Sequence, residues 1–130
     1  MQVRDAMSKV VLQVGPEHTL RQTARLMSAR RVGSAVVVDP ESEGVGIITE
    51  RDMLYAIGRG LDPDAERTAD HITWDAVYAG PAWTLEDAAA AMVRGGFRHL
   101  VVLDGSEVLG IISVRDILRV WAHDPAPTPA

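Results

Sequence analysis

Apolar residues follow two patterns along this chain. Unbroken Val- and Ile-rich runs read as buried strands, and apolar residues spaced three and four apart read as one-sided helices. The first run is Val10-Val11-Leu12-Gln13-Val14, closed by Gly15-Pro16. Residues 19–31 then carry Leu20, Ala24 and Met27 on one helical stripe. Thr19 suits the N-cap, Gln22 stands three residues on as in a capping box, and Gly33 marks the helix end. Residues 34–39 form a Val-rich buried strand, with residues 45–49 as its hairpin partner. A second helix, residues 52–57, closes on Gly58 and Gly60.

The same order of elements returns. Asp5 matches Asp70, Thr19-Leu20 matches Thr84-Leu85, Ala24 matches Ala89, and Met27 matches Met92. Val36-Val37-Val38-Asp39 matches Val101-Val102-Leu103-Asp104, and all these pairs are 65 residues apart. Gly46 and Gly110 are 64 apart. The missing residue falls in the hairpin turn, Pro40-Glu41-Ser42-Glu43-Gly44 in one half and Gly105-Ser106-Glu107 in the other, where repeats tolerate change. The second half offers a weak opening strand at residues 76–78, ended by Pro81. Thr84 caps a helix over residues 85–94, with Asp87 at N3 and Gly95-Gly96 as the stop. Strands at 100–104 and 108–113 and a last helix at 115–121 complete it. Each repeat reads β-α-β-β-α, an α/β (α+β) class. One repeat of about 65 residues buries too little to be comfortable alone, so two are expected to share a core, with a ligand groove between them. The expected division is repeat 1 at 1–60, a linker at 61–67, repeat 2 at 68–122 and a disordered tail at 123–130.

Composition narrows the function. The net charge of −5 over 130 residues argues against a nucleic-acid binder held by phosphate contacts, but leaves room for a small anion that needs only a few local donors. The absence of cysteine excludes disulfides and thiolate metal sites. Met1-Gln2-Val3-Arg4-Asp5-Ala6-Met7 has no apolar signal region and no run approaches membrane-spanning length, so the expected location is cytoplasmic with no membrane contact. Lys9 is the one lysine among many arginines, a bias that points to a GC-rich bacterial genome. His18, His71, His99 and His123 show no metal-ligand spacing. The acidic stretch Asp62-Pro63-Asp64-Ala65-Glu66 fails as a calcium loop, because Arg67 stands at the glycine position and Thr73 at the bidentate glutamate position. Trp74, Trp83 and Trp121 are isolated and read as core or dimer contacts. Without a phosphate-loop lysine, a nucleophile–base pair or a metal, no enzyme is expected.

Two stretches carry candidate chemistry. Gly46-Ile47-Ile48-Thr49-Glu50-Arg51-Asp52 returns as Gly110-Ile111-Ile112-Ser113-Val114-Arg115-Asp116. In each, a buried strand turns directly into a helix. Thr49-x-x-Asp52 and Ser113-x-x-Asp116 fit a capping box, in which both side chains satisfy helix N–H groups. They equally fit a ligand corner. A carboxylate accepts hydrogen bonds from both hydroxyls of a cis-diol, and a helix N-terminus attracts phosphate. Capping and binding are compatible, and both stand. Arg51 and Arg115 lie on first helical turns, where bases are slightly unfavourable, which fits a nearby anion and fits a salt bridge or a solvated surface equally. Arg30-Arg31, at a helix end, suits the dipole alone.

The repeats resemble a tandem pair of CBS domains, a Bateman module, over residues 1 to about 122, and a standalone CBS-domain protein is expected. The specific parts are the two hairpins running into Gly-Ile-Ile-[Thr/Ser]-x-x-Asp. Asp5-Ala6-Met7 and the Thr-Leu helix starts also fit. The resemblance implies two repeats packed about a pseudo-two-fold axis. It implies a regulatory module with adenosine-containing ligands in the inter-repeat cleft: AMP, ADP, ATP, S-adenosylmethionine or NADH, none of them a required cofactor. It also implies a homodimer of paired modules and a regulated protein partner. Carried over, Asp52 and Asp116 would meet ribose hydroxyls, and Thr49 and Ser113 ribose or phosphate. Gly33-Ser34 and Arg98-His99 hold family pocket positions, with Arg98 and His99 resembling a phosphate-binding basic pair. The apolar walls would come from Val10-Val11-Leu12 and from Asp75-Ala76-Val77-Tyr78. Val36 and Val101 stand near positions where the family often has proline. The alternative is a ligand-independent dimerisation scaffold.

Overall fold

The computed structural model describes residues 1–41, 45–72 and 78–123. Its elements, in chain order, are α1 (Val3–Ala6), β1 (Gln13–Val14), α2 (Leu20–Arg30), β2 (Ser34–Val38), β3 (Val45–Thr49), α3 (Glu50–Gly58) and a 3-10 turn (Thr68–His71). Then follow β4 (Tyr78–Ala79), α4 (Leu85–Gly95), β5 (His99–Asp104), β6 (Glu107–Ser113) and α5 (Val114–His123). They build two three-stranded sheets, β1-β2-β3 and β4-β5-β6. In each, the short first strand runs parallel to the middle one and the third closes an antiparallel hairpin. Ser34 faces Thr49 in the first hairpin, and His99 faces Ser113 in the second. Among the described residues no helix is long and apolar enough to cross a membrane.

The chain folds as two compact units, each with its own core. One is Val11–Ala76; the other joins Met1–Val10 to the chain from Val77 onward. In the first, Leu12, Val14, Leu20, Met27, Ala35, Val37, Ile48 and Ala56 pack together. In the second, Val3, Leu85, Ala88, Met92, Leu100, Val102, Ile112 and Ile117 do so. The opposite strand faces are also buried, at Val36 and Ile47 and at Val101 and Ile111, which is why these strands read as unbroken apolar runs.

Each unit is closed by the segment that opens the other sequence repeat. In the first unit the Leu20 and Arg21 N–H groups, orphaned at the start of α2, donate to Glu66 O and Pro63 O at 3.0 and 3.1 Å. Thr68 and Ala69 N–H donate to His18 O and Pro16 O. The second unit repeats the pattern: Val3 and Arg4 N–H donate to Trp83 O and Pro81 O, and Leu85 N–H to Met1 O. Val3 and Thr68, 65 residues apart, are both fully buried. Their partners differ. Thr68 Oγ1 lies 2.7 Å from Thr23 Oγ1 and donates to Thr19 O at 3.3 Å, so Thr23 donates to Thr68. The equivalent pair in the second unit is Val3 and Ala88, in an apolar core. At the surface, Arg21 pairs with Asp64 and holds its carboxyl below the usual carboxylate range through that hydrogen bond.

Several expected boundaries shift for local reasons. The strand expected over Val10–Val14 is confined to Gln13–Val14, and Val10 is 76% exposed. Ser8 bonds Ile111 in both directions, which holds the chain up to Val10 in the other unit. The α2 helix stops on Arg31, not Gly33. Arg31 is the left-handed cap at φ 55°, and Val32 N–H reaches Met27 O. The second repeat places Gly96 at that position, φ 70°, as expected. The helices expected to start at Asp52 and Arg115 start at Glu50 and Val114, because Thr49 and Ser113 already act at the strand ends. The turn residues 42–44, Trp74, the Asp75-Ala76-Val77 wall and tail residues 124–130 lie outside the described residues, whereas His123, expected to open the disordered tail, is the last residue of α5.

Three single substitutions and one double variant test this packing. A Cβ at Gly110 would run into Ser8 O and sit 3.1 Å from Met7 Sδ, so Gly110→Ala destabilises by about 1–3 kcal/mol. Gly58 has open space around it, so Gly58→Ala stabilises by about 0.4–1 kcal/mol; urea midpoints measure both. Thr68→Val leaves the Thr23 hydroxyl unpaired and costs about 1–3 kcal/mol. The double variant Thr23→Ala/Thr68→Val, which copies the apolar pair of the other unit, regains most of that in the same assay.

Candidate functional site

The two strand-to-helix corners are built alike. Thr49 caps α3, and its N–H and Oγ1 donate to Asp52 Oδ2 at 2.8 and 3.1 Å. Asp52 N–H returns to Thr49 Oγ1 at 3.4 Å. Ser113 N–H and Oγ donate to Asp116 Oδ2 at 2.9 and 3.0 Å, and Asp116 N–H returns to Ser113 Oγ at 3.1 Å. Both aspartates therefore sit at N3, where a carboxylate also suits the helix dipole.

Strand register brings the rest of each corner into place. Ser34, buried, lies across the hairpin from Thr49, and Gly33 O accepts the Glu50 N–H at 3.0 Å. His99 lies across from Ser113, and Arg98 O accepts the Val114 N–H at 2.9 Å. Gly33, Ser34, Thr49 and Asp52 thus form one group within the first unit. Arg98, His99, Ser113 and Asp116 form the other, within the second unit. Arg51 and Arg115 follow the helix starts and are exposed, as is Arg98; His99 is half-buried.

The corners differ at two equivalent positions that the sequence reading passed over. Glu50 opens α3 with its carboxylate 3.3 Å from where a Gly33 Cβ would stand, whereas Val114 opens α5 opposite Arg98. Arg119, one helical turn past Asp116, pairs its Nη2 with Asp116 Oδ1. Tyr55 holds the equivalent place after Asp52, 64 residues earlier, and is exposed. Asp52 Oδ1 receives no hydrogen bond from the described residues. The spacing of Asp116 and Arg119 was the available signal, since residues three apart on a helix are neighbours. Among the described residues no group of His, Asp and Glu is arranged to hold a metal.

The family model for the CBS domain matches this chain twice, over residues 3–59 and 69–123. The chain belongs to the CBS domain family. Its two CBS domains are 32% identical over 94% of the chain to the uncharacterized protein MJ1225 of Methanocaldococcus jannaschii, covering 43% of that protein. They are 30% identical to the CBS domain-containing protein YhcV of Bacillus subtilis, over 88% of this chain and 81% of that one. The chain spans 43–66% of the length of three curated relatives at 31–35% identity. Among solved structures, the hexameric CBS-CP12 protein from bloom-forming cyanobacteria superposes with a TM-score of 0.89 at 27% identity, over 98% of this chain and 73% of that one. The CBS domain protein PAE2072 from Pyrobaculum aerophilum, complexed with AMP, superposes with a TM-score of 0.82 over 95% and 99%. At 24% identity that likeness is one of fold.

Proposed function

We propose that this pair of CBS domains is a regulatory module that binds adenosine-containing nucleotides of the AMP, ADP and ATP class through its strand-to-helix corners. The observation that carries the reading is the way each capping box spends one carboxylate oxygen. Both internal donors go to Oδ2, so Asp52 keeps a whole oxygen for the two hydroxyls of a ribose. Beside it, the positive end of the helix dipole favours phosphate. Arg98, His99, Arg51 and Arg115 stand near enough in sequence and register to add donors. The AMP complex of PAE2072 supports the ligand class. Ligand binding would act by favouring one conformation of the module over another, with no bond made or broken.

A second reading has its own observation. The helices after both corners expose matched apolar pairs, Leu54 with Ile57 on α3 and Leu118 with Trp121 on α5, at 37–66% exposure. Such pairs suit a homodimer of modules or a protein partner, and the hexameric CBS-CP12 relative supports assembly. The proposal places the module in the cytoplasm, with a regulated protein as its target.

Thermal unfolding with AMP, ADP and ATP tests the first reading. A ligand at a hundred times its dissociation constant adds about 2.7 kcal/mol, roughly a 10 °C rise in Tm for this length. The rise is lost in Asp52→Ala/Asp116→Ala; no rise with any nucleotide, S-adenosylmethionine and NADH included, refutes the reading. Light scattering tests the second: Leu54→Arg/Leu118→Arg converts a dimer to a monomer without lowering helical circular dichroism, and an unchanged mass refutes the role of these faces.

A further inference from the structure

We infer that the two corners are unequal because Arg119 closes one of them, so that the Asp52 corner takes the ribose and the Asp116 corner binds it only after Arg119 gives way. This rests on the nucleotide reading of the corners. The two share the same reciprocal capping box, atom for atom. What differs is the second carboxylate oxygen. Asp116 is 8% exposed, Ser113 donates twice to its Oδ2, and Arg119 pairs with its Oδ1. A diol arriving there finds the charge already compensated and the open side covered by a guanidinium. Asp52 is more exposed, its Oδ1 has no partner among the described residues, and the position of Arg119 is filled by Tyr55, whose side chain is turned to solvent.

The Arg119 guanidinium is itself more than half exposed, so the closure is a competition and not a wall. An ion pair of this kind weakens a competing contact by up to roughly fivefold. Arg119 is thus a specificity residue. It biases occupancy towards one of two corners that the fold makes alike, and it can swing away without moving the backbone.

The test separates this inference from the reading it rests on. AMP titration calorimetry in Asp116→Ala isolates the first corner, and in Asp52→Ala the second. We expect AMP to bind the first roughly fivefold more tightly. Arg119→Tyr, added to Asp52→Ala, closes that gap, and Tyr55→Arg, added to Asp116→Ala, weakens the first corner by the same factor. Equal affinities, or no response to either exchange, overturn the inference. A second arm needs no nucleotide: carbodiimide coupling of glycine ethyl ester, read peptide by peptide by mass spectrometry. Asp52 labels faster than Asp116 in the native chain, and Arg119→Tyr accelerates labelling of Asp116 several-fold while circular dichroism stays unchanged. Asp116 labelling as fast as Asp52, or unmoved by Arg119→Tyr, overturns the inference. If AMP binds nowhere but the labelling contrast holds, the nucleotide reading falls and the inequality of the corners stands.

Discussion

The first turn of an α-helix has N–H groups that its own backbone cannot satisfy, and in this protein that shortage decides how the chain is divided. Thr19 and Thr84 each accept one such donor, from Gln22 and Asp87. The donors of Leu20, Arg21 and Leu85 need carbonyls from elsewhere, and these come from residues 63–66 and from Met1. The segment that starts one sequence repeat therefore finishes the unit built from the other. Burial follows the hydrogen bonds: Val3 and Thr68 enter the cores beneath those helices and are wholly removed from water. Each sequence repeat donates the piece that its neighbour lacks, so one unit, Val11–Ala76, runs past the end of its own repeat and the other is assembled from the two ends of the chain.

That exchange leaves the strand-to-helix corners independent of it. A corner needs only the end of a hairpin and the start of the next helix, residues adjacent in sequence or in register. Ser34 opposite Thr49 and His99 opposite Ser113 are fixed by antiparallel pairing and by the buried faces that a one-residue slip would turn outward. The capping box then holds each aspartate at a defined angle, with a hydroxyl and an N–H on one oxygen. Capping is what orients the carboxylate, so the structural and the binding roles of Asp52 are one arrangement seen from two sides.

Most of this was legible in the sequence where the signal was periodic or repeated. Continuous Val and Ile runs marked β2, β3, β5 and β6, and a spacing of 65 marked the second copy. Thr-x-x-Asp and Ser-x-x-Asp marked both corners. What could not be read there depended on partners distant in sequence. The β-rich run at Val10 is apolar, but its neighbour Ser8 bonds Ile111, some hundred residues on, and propensity carries no record of that pairing. Arg31 took the left-handed cap because the bonding pattern closing α2 fell two residues before the glycine. Arg119 was overlooked for a different reason: comparing repeats draws attention to positions that agree, and Arg119 matters because Tyr55 does not.

Divergence between repeats is informative in proportion to how constrained the position is. Under the closing segments the chain has used two chemistries for one space, a pair of hydrogen-bonded threonines in one unit and Val3 with Ala88 in the other. Both leave no buried polar atom without a partner among the described residues, so that difference is neutral to the fold. The difference at Tyr55 and Arg119 is of another kind. Both residues are largely exposed and neither is needed to fill a core. Arg119 pairs with the aspartate of its corner, whereas among the described residues no hydrogen bond joins Tyr55 to Asp52. A surface substitution that leaves packing untouched and changes what a carboxylate can accept acts on the ligand side of the corner alone, which is how two copies of one backbone can come to differ in what they hold.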